Sequence, residues 1–335
     1  MRLIQVLLVL LIGVFFYSFI TSSEKSFRIN GTATGFEEGT RIFLAIDMHD
    51  GSFATIDNTT IKKEHFVFEG VLHDEITRAV IGNKDFADLK NFWLENTNFS
   101  FHAENGKLNT AVVLGSETQQ EANRLDSIIN LGQEKKDQLI SFIRAHPNSV
   151  ISAHLLSHYG LTWGFDTTSM LYNGLSAKIR ATAYGKKARE FLTINKNLRM
   201  GDRSYDFSQS DVNGRKINLS DFRGKVVLLE FWGSWCGPCR KANPALVRMY
   251  NEYKPKGFEI LGVGVESDKA SWLKAIKDDK LPWPNVTDLN GYENRAAIIY
   301  GVYSYPTNFL IDRSGIIVAK DIYGDSLQEK LKVIL

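Results

Sequence analysis

The stretch Val226-Val227-Leu228-Leu229-Glu230-Phe231-Trp232-Gly233-Ser234-Trp235-Cys236-Gly237-Pro238-Cys239-Arg240 decides how the chain is read. Four consecutive aliphatics, Val226 to Leu229, are the pattern of a strand buried on both faces. After the Cys-x-x-Cys, Ala245, Leu246, Met249 and Tyr250 recur at helical spacing, which predicts an amphipathic helix running to about Tyr253. Cys236 then falls at a helix N-terminus, where unpaired N–H groups and the helix dipole favour a thiolate and make it nucleophilic near neutral pH. Cys239 lies one turn inside, placed to attack a mixed disulfide on Cys236 and close the Cys236–Cys239 bond. Pro238 suits an early helical position, since its missing N–H has no intrahelical partner to lose.

These two thiols are the only cysteines in 335 residues, and one pair so close cannot staple a fold. A tetrahedral zinc site would need two more Cys or His ligands, and all seven histidines lie at or before His158. The pair therefore reads as a redox-active dithiol, with no metal and no other cofactor expected. His154-x-x-x-His158 has a spacing that could hold a metal, but it lacks the acidic partner of a metalloprotease and reads as helix surface.

Outward from this motif, strands and helices alternate over 199–335. A short strand pair near Phe207 and 217–219 precedes the Val226 strand, and a second buried strand covers 258–265. Helices are predicted over 269–278 and 295–300. Two strands flank the turn Asp312-Arg313-Ser314-Gly315, and a last helix spans 326–334. This is the order of a compact α/β domain. Upstream, 27–115 alternates short apolar runs with the turn signals Gly35, Asp50-Gly51, Asn83-Lys84 and Asn105-Gly106, and reads as an antiparallel sandwich or open barrel. Residues 116–198 place apolar residues at helical spacing and read as a helical connector, with Pro147 ending one helix and Asn148 or Ser149 capping the next. Residues 1–23 hold an apolar run, 3–20, behind Arg2. It reads as a cleaved signal peptide or an uncleaved membrane anchor, and so as export to the periplasm or cell envelope.

The composition, 44% hydrophobic and 23% charged, is ordinary globular usage. The net charge is +2, near +3 for 199–335 and near −1 for the remainder, which excludes an electrostatic nucleic-acid binder.

Taken with Tyr305-Pro306-Thr307-Asn308-Phe309-Leu310-Ile311-Asp312, the opening motif resembles the thioredoxin superfamily, and within it the exported TlpA/ResA-like thiol-disulfide oxidoreductases, over 199–335. The β-rich part more loosely resembles the domain that precedes such modules in Bacteroidetes proteins. The resemblance implies a thioredoxin-like fold with Cys236 as attacking thiol, Cys239 as resolving thiol and Pro306 as a cis-proline facing them. The Tyr305 backbone would then lie beside Cys236 to pair with an extended substrate. It also implies a buried carboxylate at Glu230, whose desolvation would raise its pKa and let it take the resolving thiol's proton through water. Trp235, Gly237, Pro238 and Tyr305 form the expected substrate-contact surface, with Trp235 an apolar rim and Trp232 in the core. Glu266 is read as a solvated loop residue.

Two positions depart from the family. Ala242 replaces a glutamate often found three residues after the second cysteine, and Tyr305 is bulkier than the usual residue before the cis-proline. The Gly-Pro pair between the cysteines is that of thioredoxin, which favours reduction of protein disulfides. A reductase in an oxidising compartment needs a membrane electron donor as partner. Membrane contact is otherwise confined to the N-terminal segment. Two alternatives stay open. One is a thiol peroxidase, which would want Thr in place of Gly233. The other is a cell-envelope binding protein whose β-rich domain captures a partner or glycan.

Overall fold

The computed structural model describes residues 25–49, 52–129 and 135–335, and it divides into two compact units, Met1–Gln120 and Glu121–Leu335. The 3–20 apolar run and the Asp50-Gly51 turn lie outside the described residues. Among the described residues no helix is long and apolar enough to cross a membrane.

The first unit carries β1 (Phe27–Thr34), β2 (Arg41–Asp47), β3 (Phe53–Thr60), β4 (His65–Gly70), β5 (Ile76–Gly82), β6 (Leu89–Glu95), β7 (Asn98–Glu104) and β8 (Val112–Leu114). They form two four-stranded sheets, β4-β1-β7-β8 and β3-β2-β5-β6. Strict alternation along β1 turns Phe27, Ile29, Gly31 and Ala33 inward. There they join Leu44, Phe66, Phe68, Phe92, Phe99 and Phe101 in one core. Phe66 meets Phe68 and Phe101 edge-on, each with ring centroids 5.7 Å apart. Gly31, opposite Phe66 in the ladder, makes room for that ring: a Cβ there would lie 2.0 Å from it. One expectation is corrected. β1 and β7 pair parallel, from Arg28↔Asn98 to Thr34↔Glu104. A tight hairpin forces antiparallel neighbours, but five strands separate β1 from β7 in the chain, so either direction is open to them.

Helices α1 (Glu117–Ile129), α2 (Lys135–Ala145), α3 (Val150–Trp163), α4 (Phe165–Gly174), α5 (Ala177–Ala181) and α6 (Ala183–Ile194) follow. α2 stops before Pro147, and the Ser149 hydroxyl accepts from the Ile151 N–H at 3.2 Å to cap α3. From α2 onward these helices fall in the same compact unit as the α/β module.

That module is built from β9 (Ser208–Asp211), β10 (Lys216–Asn218), β11 (Val226–Trp232), α7 (Gly237–Tyr253), β12 (Phe258–Gly264), α8 (Lys269–Asp278), β13 (Asn285–Thr287), α9 (Arg295–Tyr300), β14 (Thr307–Ile311), β15 (Ile317–Lys320) and α10 (Gly324–Ile334). One sheet runs β10-β9-β13-β12-β11-β14-β15, with β11 parallel to β12 and antiparallel to β14. Every residue of β11 is buried, as its continuous apolar run requires. Alternation along it feeds two cores. Val227, Leu229 and Phe231 pack with Ala297, Tyr300 and Phe309. Val226, Leu228 and Trp232 pack with Leu246, Tyr250, Trp272 and Leu331. Each such side chain contributes about 1.5–3 kcal/mol on leaving water. This is a thioredoxin-like α/β module, and it hangs the end of β11 directly over the start of α7.

Candidate active site

β11 ends at Trp232, and after four intervening residues α7 begins at Gly237. Cys236 caps that helix, its Sγ accepting from the Cys239 N–H at 3.2 Å, with Gly237 and Pro238 as its first two residues. The Cys239 N–H at the helix start thus points at the Cys236 sulfur, an arrangement that favours a thiolate there. Cys236 and Cys239 are joined by a disulfide, with Cα atoms 5.3 Å apart. Both are buried, at 4% and 2% exposure, while Gly237 and Pro238 are exposed.

Tyr305–Pro306 is a cis peptide bond, and the Tyr323 hydroxyl donates to the Pro306 carbonyl at 3.0 Å. Tyr305 packs against the core cluster that holds both cysteines, and its ring meets Trp235 edge-on at 5.5 Å. Trp235 is half-exposed and anchored by its indole N–H, which donates to the Val265 carbonyl at 3.0 Å. Trp232 is core. The Tyr305 hydroxyl is a buried atom without a hydrogen-bond partner, and burial, with a lesser effect from Tyr292, pushes its pKa up to about 12.

Glu230 is 4% exposed. It alternates with Leu228 and Trp232, so it lies on the sheet face that receives Cys239 and the rest of α7. Burial pushes its carboxyl up to about 8, opposed by Asn308 opposite it on β14 and reinforced by the charge of Asp321. Its Oε2 has no hydrogen-bond partner. Asn308 is itself committed to Ile322, accepting from its N–H and donating to its carbonyl, each at 3.0 Å.

Glu266 corrects the sequence reading. It is 2% exposed, accepting from both the backbone N–H and the hydroxyl of Ser234, the latter at 2.9 Å, and burial raises its pKa. It straps down the loop between β11 and Cys236, which is why a position just past a strand end is dry. Arg240 holds the same loop from the other side, donating to the Ser234 carbonyl at 3.3 Å while it forms a bidentate pair with Asp279.

The sequence reading missed Tyr292. Its ring centroid lies 5.4 Å from Trp235 and 6.5 Å from Tyr305, completing a three-ring cluster beside the disulfide. Nothing in its own Gly-Tyr-Glu context signals that placement. His154 and His158 stack on each other at 6.2 Å, with Tyr184 edge-on to His154. Among the described residues no group of three or more His, Cys, Asp or Glu could hold a metal.

Two families match the chain: the AhpC/TSA family over residues 200–320 and a domain of unknown function, DUF4369, over 27–122. The thiol-disulfide oxidoreductase ResA of Bacillus thuringiensis subsp. konkukian is 34% identical over 145 residues, which is 43% of this chain and 82% of that protein. The ResA of Geobacillus thermodenitrificans is 38% identical over 142 residues, 42% of this chain and 79% of that protein. Among solved structures, a thiol-disulfide oxidoreductase from Bacteroides fragilis aligns at 39% identity with a TM-score of 0.39, covering 40% of this chain and all of that one.

Proposed function

Since this chain belongs to the ResA-like family of thiol-disulfide oxidoreductases, we propose that its reaction is the reduction of protein disulfides outside the cytoplasm. The observation that carries this reading is the Cys236–Cys239 disulfide seated at the start of α7, on the sheet face that also buries Glu230. In the reduced protein the Cys236 thiolate attacks one sulfur of the substrate disulfide. The substrate's other sulfur leaves as a thiolate and takes a proton from solvent. Cys239 then attacks the Cys236 sulfur of the mixed disulfide, the second substrate thiolate departs, and two electrons have passed to the substrate. Cys239 must lose its proton for that second step, and Glu230 accepts it through water at the oxygen that has no other partner. The pair that closes is the bond present in this structure, and a membrane-borne dithiol donor reopens it.

The Gly237-Pro238 pair supports reduction over oxidation, and the apolar run 3–20 supports export to the periplasm or cell envelope. The AhpC/TSA match raises thiol peroxidase as the second reading. Against it stands Gly233, where peroxidase chemistry would want Thr: a Cβ there would meet the Trp235 indole at 2.7 Å. The test is insulin-disulfide reduction by the full chain beside a peroxide-consumption assay. Cys236→Ser is expected to abolish turnover and Cys239→Ser to accumulate mixed disulfides with substrate. Unchanged turnover in the Cys236 variant, or peroxide turnover exceeding disulfide turnover, would overturn the reading. Cell fractionation with alkaline extraction tests export, with retention in the cytosolic fraction the adverse result.

A further inference from the structure

An aromatic surface adjoins the cluster that holds the Cys236–Cys239 disulfide. Trp235, Tyr292 and Tyr305 stand within 5.4–6.5 Å of one another, centroid to centroid. Tyr292 is 67% exposed and Trp235 50%, so two of the three rings hold large apolar faces in water. The arrangement is fixed in advance. Trp235 is tied to Val265 through its indole N–H, and it lies over Gly233, the one residue type that leaves room for it. Tyr305 packs against the core cluster that holds the disulfide. Tyr292 stands on the short turn before α9, a turn pinned by the Gly291 N–H donating to the Glu266 carbonyl at 2.9 Å. The Lys187–Glu293 pair at 2.9 Å ties that turn to α6. Rings set this way lose little freedom when a ligand covers them, which is what makes aromatic residues effective recognition elements.

Building on the reduction reading, we propose that Trp235, Tyr292 and Tyr305 form a selectivity platform, with Tyr292 its outer member, and that the preferred substrates are polypeptides carrying an aromatic residue two positions from the cysteine of the scissile disulfide. The occupant follows from the chemistry. An extended segment paired along the Tyr305 backbone turns every second side chain to the same face, so the residue two positions from its cysteine faces these rings together with the cysteine. An aromatic side chain there gains edge-to-face or offset-stacked contact. An acidic one would be desolvated against ring faces that carry partial negative charge, and the cation that holds the loop before Cys236, Arg240, is already paired with Asp279.

The test uses the reduced full chain under single-turnover conditions with disulfide-bonded peptides that differ only at the residue two positions from the cysteine: Phe, Leu, Ala or Glu. Each second-order rate is divided by the rate on 2-hydroxyethyl disulfide. The rates should rank Phe, Leu, Ala, Glu, with Phe over Ala by about 3- to 10-fold, the worth of one aromatic contact. Tyr292→Ala should collapse the Phe-to-Ala ratio toward one and Tyr292→Phe should keep it. A flat ranking in the wild type, or an undiminished ratio in Tyr292→Ala, would overturn the platform. In parallel, fluorescence anisotropy of dye-labelled peptides with Ser in place of Cys reads the same preference as binding to the oxidised chain. If no disulfide is reduced but the binding order persists, the reduction reading fails and the platform stands.

Discussion

The two units build their sheets from similar side chains and spend their interiors differently. The N-terminal core is closed by aromatic rings meeting edge-on, with Phe66, Phe68, Phe92, Phe99 and Phe101 filling the space between sheets. The C-terminal module is as densely apolar on both faces, yet it also buries three glutamates, Glu230, Glu259 and Glu266, each at most 5% exposed. Their surroundings are graded. Glu259 is fully answered, by Lys225 at 3.0 Å and the Tyr250 hydroxyl at 2.7 Å. Glu266 is answered by Ser234. Glu230 keeps one oxygen bare. A buried carboxyl with an unanswered oxygen costs stability, and the proposed proton transfer from Cys239 is the use this unit would have for one. Among the described residues the first unit buries no glutamate to that depth: Glu95 is only half-buried, though one of its oxygens also lacks a partner, and the buried Asp47 accepts from the His49 N–H at 2.8 Å.

The sharpest way to break that contrast is to exchange the two kinds of damage. Cys236→Ser should leave the C-terminal fold intact and remove disulfide turnover altogether, read by insulin reduction. Residual turnover would place the chemistry elsewhere. Next in size is Glu230→Gln. The Glu230 carboxyl sits at about 8 in the folded chain against an ordinary value of 4.5, so folding favours its neutral form. Its contribution is fully present below the unfolded value and is lost as pH rises through about 8. The oxidised wild type should therefore lose stability between about pH 5 and pH 9 relative to the Gln variant, by roughly 4–5 kcal/mol at the alkaline end. Guanidinium denaturation across that range checks it, and parallel profiles would refute the shift. Phe101→Ala, fully buried in the N-terminal core, should cost that unit about 3–5 kcal/mol while the rate on a small disulfide per folded molecule stays unchanged.

What the sequence shows and hides follows the same division. The strands of the first unit are legible as short apolar-rich runs between turn residues, with period-two alternation along β1, β4 and β7, yet the parallel β1–β7 pair is not, since no local signal sets the direction of partners so far apart in the chain. The redox pair, the helix after it and the strand before it are legible because one fifteen-residue stretch carries all three. The buried carboxyl at Glu230 sits within that stretch and could be read from its place in a two-sided strand. Glu266 could not: it lies beyond the end of β12, where a solvated loop is the ordinary outcome, and its burial depends on Ser234, 32 positions away. Tyr292 is the same case, joined to Trp235 by the fold alone.

The smallest effect bears on the glutamate that was misread. The Ser234 hydroxyl donates to Glu266 Oε2 at 2.9 Å, and its backbone N–H donates to Oε1. Ser234→Ala removes the first bond and keeps the second, so the loop before Cys236 stays in place while one carboxylate oxygen loses its donor. A hydrogen bond to a charged group is worth about 1.5–3 kcal/mol, and the variant should lose stability on that scale. The loss should also depend on pH. Burial already raises the Glu266 pKa, and the hydroxyl opposes that rise, so removing it moves the pKa further up. Protonation relieves the unanswered oxygen, and the destabilisation should shrink as pH falls and grow as it rises. Denaturation of Ser234→Ala and wild type at acid and neutral pH decides it. A difference that does not change with pH would show that the hydroxyl serves only to pack the loop, and that Glu266 belongs with the fully answered Glu259 and apart from Glu230.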